Sequence, residues 1–252
     1  RFELRPVDIR ALDDHEHSEQ KGSRRLVYII DEIDGTTNTK RELANLKEGD
    51  TPQPQASTSI AVCKGKTIGS VQVGAVYTFD TNDVYSAFLT SNTFLSFKND
   101  KLIRASEHGK ILGDSVSRVI VAGYSNKNRF EKAKWETALF EKGIRVYEGC
   151  RASSVDIINM IRGRFDAYVD ARALWGKNSG AKLQAYDISA SIPIALGAGF
   201  SVSDCQGNSW EKYNLNDSIP LVVSRSKTLH QNILEAVEPL LEELSVKKGG
   251  ES

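Results

Sequence analysis

Apolar and polar positions along this chain follow two periods, and the change from one to the other divides it. Leu26 to Ile30 is an unbroken apolar run of strand length. Thr58 to Cys63 and Ile68 to Tyr77 read as strands paired around Lys64-Gly65-Lys66, and Asp83 to Leu89 as another. Thr39 to Gly49 is charged and helix-like, and Pro52 and Pro54 mark an exposed loop. Strand following strand predicts an antiparallel sheet in this first half. Ser106 to Gly113 is a polar link and a layer boundary, so the division falls into residues 1–110 and 111–252. Beyond it strands and helices alternate. Val116 to Tyr124 and Ile144 to Tyr147 are strands, and Asn128 to Lys142 is a helix with Phe130, Trp135, Leu139 and Phe140 at core spacing. Val155 to Arg162 is a helix, and Ile188 to Leu196 an apolar helix broken or kinked by Pro193. Phe200 to Asp204 and Ile219 to Ser224 are strands. Thr228 to Leu244 closes the fold as an amphipathic helix with Leu229, Ile233, Leu234, Val237 and Leu241 on one face, and a tail follows from Lys247.

Composition narrows the function classes. A chain of 252 residues can bury a full core. Its 33 basic and 33 acidic residues balance, which argues against a nucleic-acid or membrane-surface protein held by bulk charge. Cys63, Cys150 and Cys205 are far apart and form no C-x-x-C, so neither a zinc site nor a disulfide scaffold is indicated. Buried reduced thiols in a cytoplasmic protein are the expectation. No apolar run is long enough for a transmembrane helix, and no signal peptide is visible.

The candidate chemistry lies at the end of the first strand. Asp31 and Asp34 stand three residues apart, Gly35 allows a tight turn, and Thr36, Thr37 and Asn38 supply side chains that cap free backbone N–H groups. Two bare carboxylates ~4 Å apart repel by roughly 4 kcal/mol at an effective dielectric near 20. A divalent ion turns that repulsion into attraction, and hard oxygen ligands suit Mg²⁺. The N–H groups of a Gly-Thr-Thr turn suit a phosphate. Together they point to metal-assisted work on a phosphate ester; a solvated turn is the plainer alternative for the same spacing. Gly65-Lys66-Thr67 matches the end of a P-loop, but Ile60 stands where that motif needs its first Gly.

The stretch D-E-I-D-G-T-T-N, Asp31 to Asn38, resembles the metal-binding signature D-P-I/L-D-G-T/S-T/F-N of the inositol monophosphatase and fructose-1,6-bisphosphatase superfamily, with Glu32 in the proline position. Tyr186-Asp187-Ile188-Ser189-Ala190-Ser191, with Gly197-Ala198-Gly199 downstream, resembles the same superfamily's W-D-x-A-A-G and A-G-G. Gly163 to Tyr168 resembles G-R-x-D-A-Y. His15-Glu16-His17-Ser18 occupies the place of G-E-E-S, with His15 and His17 replacing Gly and Glu. Relatives usually carry two helices before the region corresponding to this one, so a further N-terminal segment is expected.

The resemblance implies a layered α/β fold, an α-β-α-β-α sandwich of the sugar-phosphatase type. It implies a Mg²⁺-dependent phosphatase with two or three ions per subunit. Asp31 would bridge two ions; the carbonyl of Ile33 and Glu16 would complete one site, and Asp34 and Asp187 the other. Glu19 is the alternative to Glu16. Gly35 and Thr36 would hold the phosphate by backbone N–H, and Thr36 with Glu16 would orient the attacking water. Asp170 would accept from the hydroxyls of a polyol, and Arg172 would pair with a second phosphate. The partners implied are a phosphorylated polyol or sugar and a second copy in a homodimer, with no nucleic acid and no membrane. Inositol 1-phosphate or fructose 1,6-bisphosphate is the expected substrate; a 3′(2′),5′-bisphosphate nucleotidase or a non-catalytic phosphate-binding relative is the alternative.

Overall fold

A computed structural model describes residues 26–45, 47, 53–103, 117–123, 128–176 and 181–249. Two sheets carry the fold. The first is a six-stranded antiparallel meander: β1 Val27–Asp34, β2 Ser57–Cys63, β3 Val71–Thr78, β4 Asp83–Leu89, β5 Phe94–Lys98 and β6 Lys101–Leu102. The second is mixed, in the order β10-β11-β9-β7-β8. Its strands are β7 Arg118–Val121, β8 Arg145–Tyr147, β9 Ala167–Asp170, β10 Ser201–Asp204 and β11 Leu221–Ser224. β7 runs parallel to β8 and β9, whereas β9, β11 and β10 pair antiparallel.

Five helices complete the described fold: α1 Thr36–Asn45, α2 Arg129–Glu141, α3 Ser153–Ile161, α4 Ser191–Gly197 and α5 Lys227–Gly249. The strand period of two sorts the second sheet's side chains into two cores. Ile120, Tyr168, Leu221 and Val223 face α3, α4 and the inner face of the first sheet. Val119, Val121, Val169 and Val222 face α2 and α5, where Trp135, Leu139, Ile233 and Val237 are buried. All nine residues of α3 are buried, as befits a helix between two sheets. Gly74 of β3 lets α4 approach the first sheet: a Cβ there would stand 2.4 Å from the Ala190 carbonyl oxygen. The described layers thus run sheet, helices, sheet, helices. The opposite face of the first sheet carries Tyr28, Ile30, Ile60, Val84 and Phe88, each more than a third exposed.

Several elements differ from the sequence expectation for identifiable reasons. Ile68–Ser70 is a 3₁₀ turn, so β3 begins only at Val71. The strands β5 and β6 extend the predicted sheet. Phe130 and Phe140 are 82% and 72% exposed instead of buried. Each lies five residues from Trp135, or about 140° around the helix, off the stripe that α2 turns inward. Pro193 neither breaks nor kinks α4, because it is the third helical residue, where its missing N–H would have had no partner inside the helix. α3 starts at Ser153, two residues earlier than predicted. No described helix is long and apolar enough to cross a membrane.

Candidate active site

In a regular strand, residues three apart face opposite sides of the sheet. β1 breaks this rule at the two acids. Asp31 pairs with Ser59, but Asp34 pairs with Ser57, so three steps on β1 match two on β2. The extra residue is a β-bulge. It leaves Glu32 and Ile33 both exposed and turns Asp34 back to the face that Val27, Ile29 and Asp31 occupy. The bulge therefore puts both carboxylates on one side. Gly35, at φ +93°, then turns the chain; a Cβ there would lie 2.8 Å from the Gln55 carbonyl oxygen. α1 begins at once at Thr36, and its positive end and unpaired N–H groups open beside the acids. The Thr36 hydroxyl donates to the Ile33 carbonyl at 3.1 Å. Asn38 donates its side-chain N–H groups to the carbonyls of Gln55, at 2.7 Å, and Cys150, at 2.6 Å, tying the turn to the loop before α3.

Asp187 arrives from the far end of the chain. It sits in the 3₁₀ turn Ala185–Ile188, where its carboxylate accepts the Gln184 N–H at 2.9 Å in a capping box. Ser154, in the first turn of α3, donates its N–H to Asp34 Oδ2 and its hydroxyl to the Asp187 carbonyl, both at 2.8 Å. Each of these two carboxylates thus has one oxygen held by a backbone N–H.

Electrostatics link the three acids. Burial, and next the charge of Asp31, lift Asp34 well above the usual carboxylate range, with Asp187 and the buried Asp156 adding to it. Burial pushes Asp187 up to about 6, the charge of Asp31 contributing and that of Arg172 opposing. Asp31 is raised chiefly by burial, against an N–H from Ile33 that lowers it. Carboxylates raised by burial and by one another are the donor chemistry of a hard divalent cation. Among the described residues, no three His, Cys, Asp or Glu side chains are drawn together tightly enough to form a metal cluster by themselves. Glu16, Glu19, His15 and His17 lie outside the described residues. Burial raises the Cys63 thiol to about 11 and lifts those of Cys150 and Cys205 as well, which disfavours the reactive thiolate.

Asp170 and Arg172 are placed otherwise than the sequence reading expected. Asp170 is fully buried and Arg172 is 6% exposed. Arg172 Nε donates to Asp170 Oδ1 at 2.9 Å, a second guanidinium nitrogen to Oδ2 at 2.5 Å, and the Arg172 backbone N–H to Oδ1 at 3.1 Å. Tyr168 donates its hydroxyl to the same carboxylate at 3.0 Å. Arg172 also donates to the Ala181 carbonyl at 3.0 Å, so in this structure the two side chains are engaged with protein groups. The sequence reading also missed Ser154, Gln184 and Asn38 as partners of the acid-bearing segments. Only Asn38 carried a signal, as the last letter of the signature.

Two sheets with helices between and outside them, and an acid set at the junction of a bulged strand and two helix starts, define an α/β sandwich of the sugar-phosphatase type. The inositol monophosphatase family model matches residues 8–242, and the chain belongs to that family. Three solved structures share the fold. An IMPase of Thermotoga maritima aligns at 23% identity over 91% of this chain and 74% of its own, with a TM-score of 0.61. An inositol monophosphatase–fructose 1,6-bisphosphatase aligns at 24% identity over 85% and 71%, with a TM-score of 0.60. An IMPase/NADP phosphatase complexed with Mg²⁺ and phosphate aligns at 16% identity over 87% of this chain and 71% of its own, with a TM-score of 0.60. No curated protein matches the sequence. Family membership supports a phosphatase of this superfamily.

Proposed function

We propose that this protein is a Mg²⁺-dependent phosphatase hydrolysing a phosphomonoester of inositol or a sugar, with inositol 1-phosphate or fructose 1,6-bisphosphate as substrate. The observation that carries the reading is that the bulge turns Asp31 and Asp34 to one face while Ser154 bonds both Asp34 and the Asp187 segment, so that half-buried, mutually repelling acids from both halves of the chain meet in one region. Unneutralised, such a set opposes folding; a resident cation offsets it. Asp31, Asp34, Asp187 and the Ile33 carbonyl would hold the metal, with Glu16 as the upstream ligand. When bound, such ions acidify water and stabilise charge on the leaving oxygen.

The chain's own groups do the rest. The Gly35 and Thr36 N–H groups, at the positive end of α1, bind the phosphate. The Thr36 hydroxyl, which donates to the Ile33 carbonyl at 3.1 Å, would orient the attacking water together with Glu16. The Mg²⁺ and phosphate bound by the structurally similar IMPase/NADP phosphatase support the same ligand pair here. Two or three ions per subunit, a homodimer and a cytoplasmic setting belong to the same proposal. A panel of inositol 1-phosphate, fructose 1,6-bisphosphate and a 3′,5′-bisphosphate nucleotide, assayed with Mg²⁺ and with excess EDTA, tests it. Phosphate release from the first two with Mg²⁺ alone is the expected result; turnover in EDTA, or of the nucleotide only, would contradict it.

A further inference from the structure

Ser154 is fully buried and is the second residue of α3. At that position the backbone N–H has no partner inside the helix. It donates to Asp34 Oδ2 at 2.8 Å, placing a negative charge at the helix's positive end. A serine hydroxyl near a helix start ordinarily turns to a local backbone group. Here it reaches the Asp187 carbonyl, 33 residues away, also at 2.8 Å. One residue therefore touches both acid-bearing segments, β1 and the turn before α4. With both partners bonded to atoms of a single residue, the spacing of the two segments follows from the geometry of Ser154.

α3's first turn is itself anchored. The Tyr168 hydroxyl donates to the Asp170 carboxylate at 3.0 Å and is directed also at the Ser153 hydroxyl, 3.2 Å away, sharing its one proton between them. The buried pair of Arg172 with Asp170 thus holds, through Tyr168, the helix turn that presents Ser154.

We infer that Ser154 is a positioning residue that couples the Asp34 and Asp187 segments so that both can serve one divalent cation; the inference rests on the metal-site reading proposed above. Two carboxylates that repel one another drift apart unless something fixes them, and preset ligands bind a cation more tightly than loose ones. Ser154→Ala removes the hydroxyl bond to the Asp187 segment and keeps the N–H to Asp34.

The test is calorimetric titration of Mn²⁺ into the metal-free full chain, with folding checked by circular dichroism melting. The Kd for Mn²⁺ of Ser154→Ala should rise by about two- to tenfold, the range that one net intramolecular hydrogen bond is worth. A folded Ser154→Ala with the Kd of the unmutated protein, whatever its melting temperature, would overturn the inference, since a merely structural serine shifts stability and leaves affinity alone. If Ser154→Ala does not fold, Ser154→Cys, close in shape with a weak donor, carries the same expectation. Asp31→Asn separates the two readings. If it abolishes Mn²⁺ binding while Ser154→Ala leaves Kd unchanged, only the role of Ser154 falls. If Asp31→Asn binds Mn²⁺ like the unmutated chain, the metal site falls, and the role of Ser154 with it.

Discussion

At the scale of single residues, the site is a set of carboxylates kept in an environment that disfavours their charge. Asp187 is raised to about 6, well above its unfolded value. Its contribution to the stability of the metal-free protein is therefore present below about pH 4 and is lost as pH rises through 6, because the ionised form is the one the fold resists. Asp187→Asn removes that dependence and keeps an oxygen for the Gln184 N–H. In EDTA, its melting temperature should exceed that of the unmutated protein by a margin that widens from pH 4 to pH 7. A margin constant with pH would show that Asp187 carries no such strain. Arg172 gives a second residue-scale expectation. Removing one partner of a buried ion pair costs about 3–5 kcal/mol. Arg172→Ala should thus lower unfolding free energy by that order and affect a monophosphate and a bisphosphate alike. A KM effect confined to the bisphosphate would restore the substrate role read from the sequence.

At the scale of elements, the junction of β1 and α1 organises the site. Apolar spacing showed the strand, and the signature singled out Asp31 and Asp34 within it. The bulge was not legible, because Ile33 is apolar and exposed, and nothing in the alternation tells an inserted residue from a strand end. The start of α3 was likewise hidden. Ser153 and Ser154 are polar and break the apolar spacing, although they form the helix turn that meets Asp34. The closure of Asp170 onto Arg172 is a matter of rotamers and burial, which spacing does not encode. Gly35 tests the junction itself. With φ +93° and the Gln55 oxygen 2.8 Å from any Cβ, Gly35→Ala requires the turn to shift. It should destabilise the protein by about 1–3 kcal/mol in denaturant melts and reduce phosphate release roughly tenfold or more, by displacing the N–H groups that would hold the phosphate. Unchanged melting and turnover would show that the turn tolerates a side chain.

At the scale of the whole molecule, the fold is a device for joining distant segments. Asp31 and Asp34 belong to the antiparallel sheet, whereas Asp187 enters after most of the mixed sheet has been laid down. α3, packed between the sheets, carries Ser154, which joins them. Strand-then-helix order made the two-sheet class legible. The pairing of β9 with both β7 and β11 depends on long-range register that no local pattern shows. In the proposed function these acids hold a divalent cation for phosphoester hydrolysis. Phosphate release from inositol 1-phosphate by the unmutated protein and by Asp31→Asn, first in EDTA and then with Mg²⁺ in excess, tests it most directly. The account predicts no turnover in EDTA, recovery on adding Mg²⁺ in the unmutated protein, and none in Asp31→Asn. Turnover in EDTA, or an Asp31→Asn enzyme that recovers with Mg²⁺ like its parent, would contradict it.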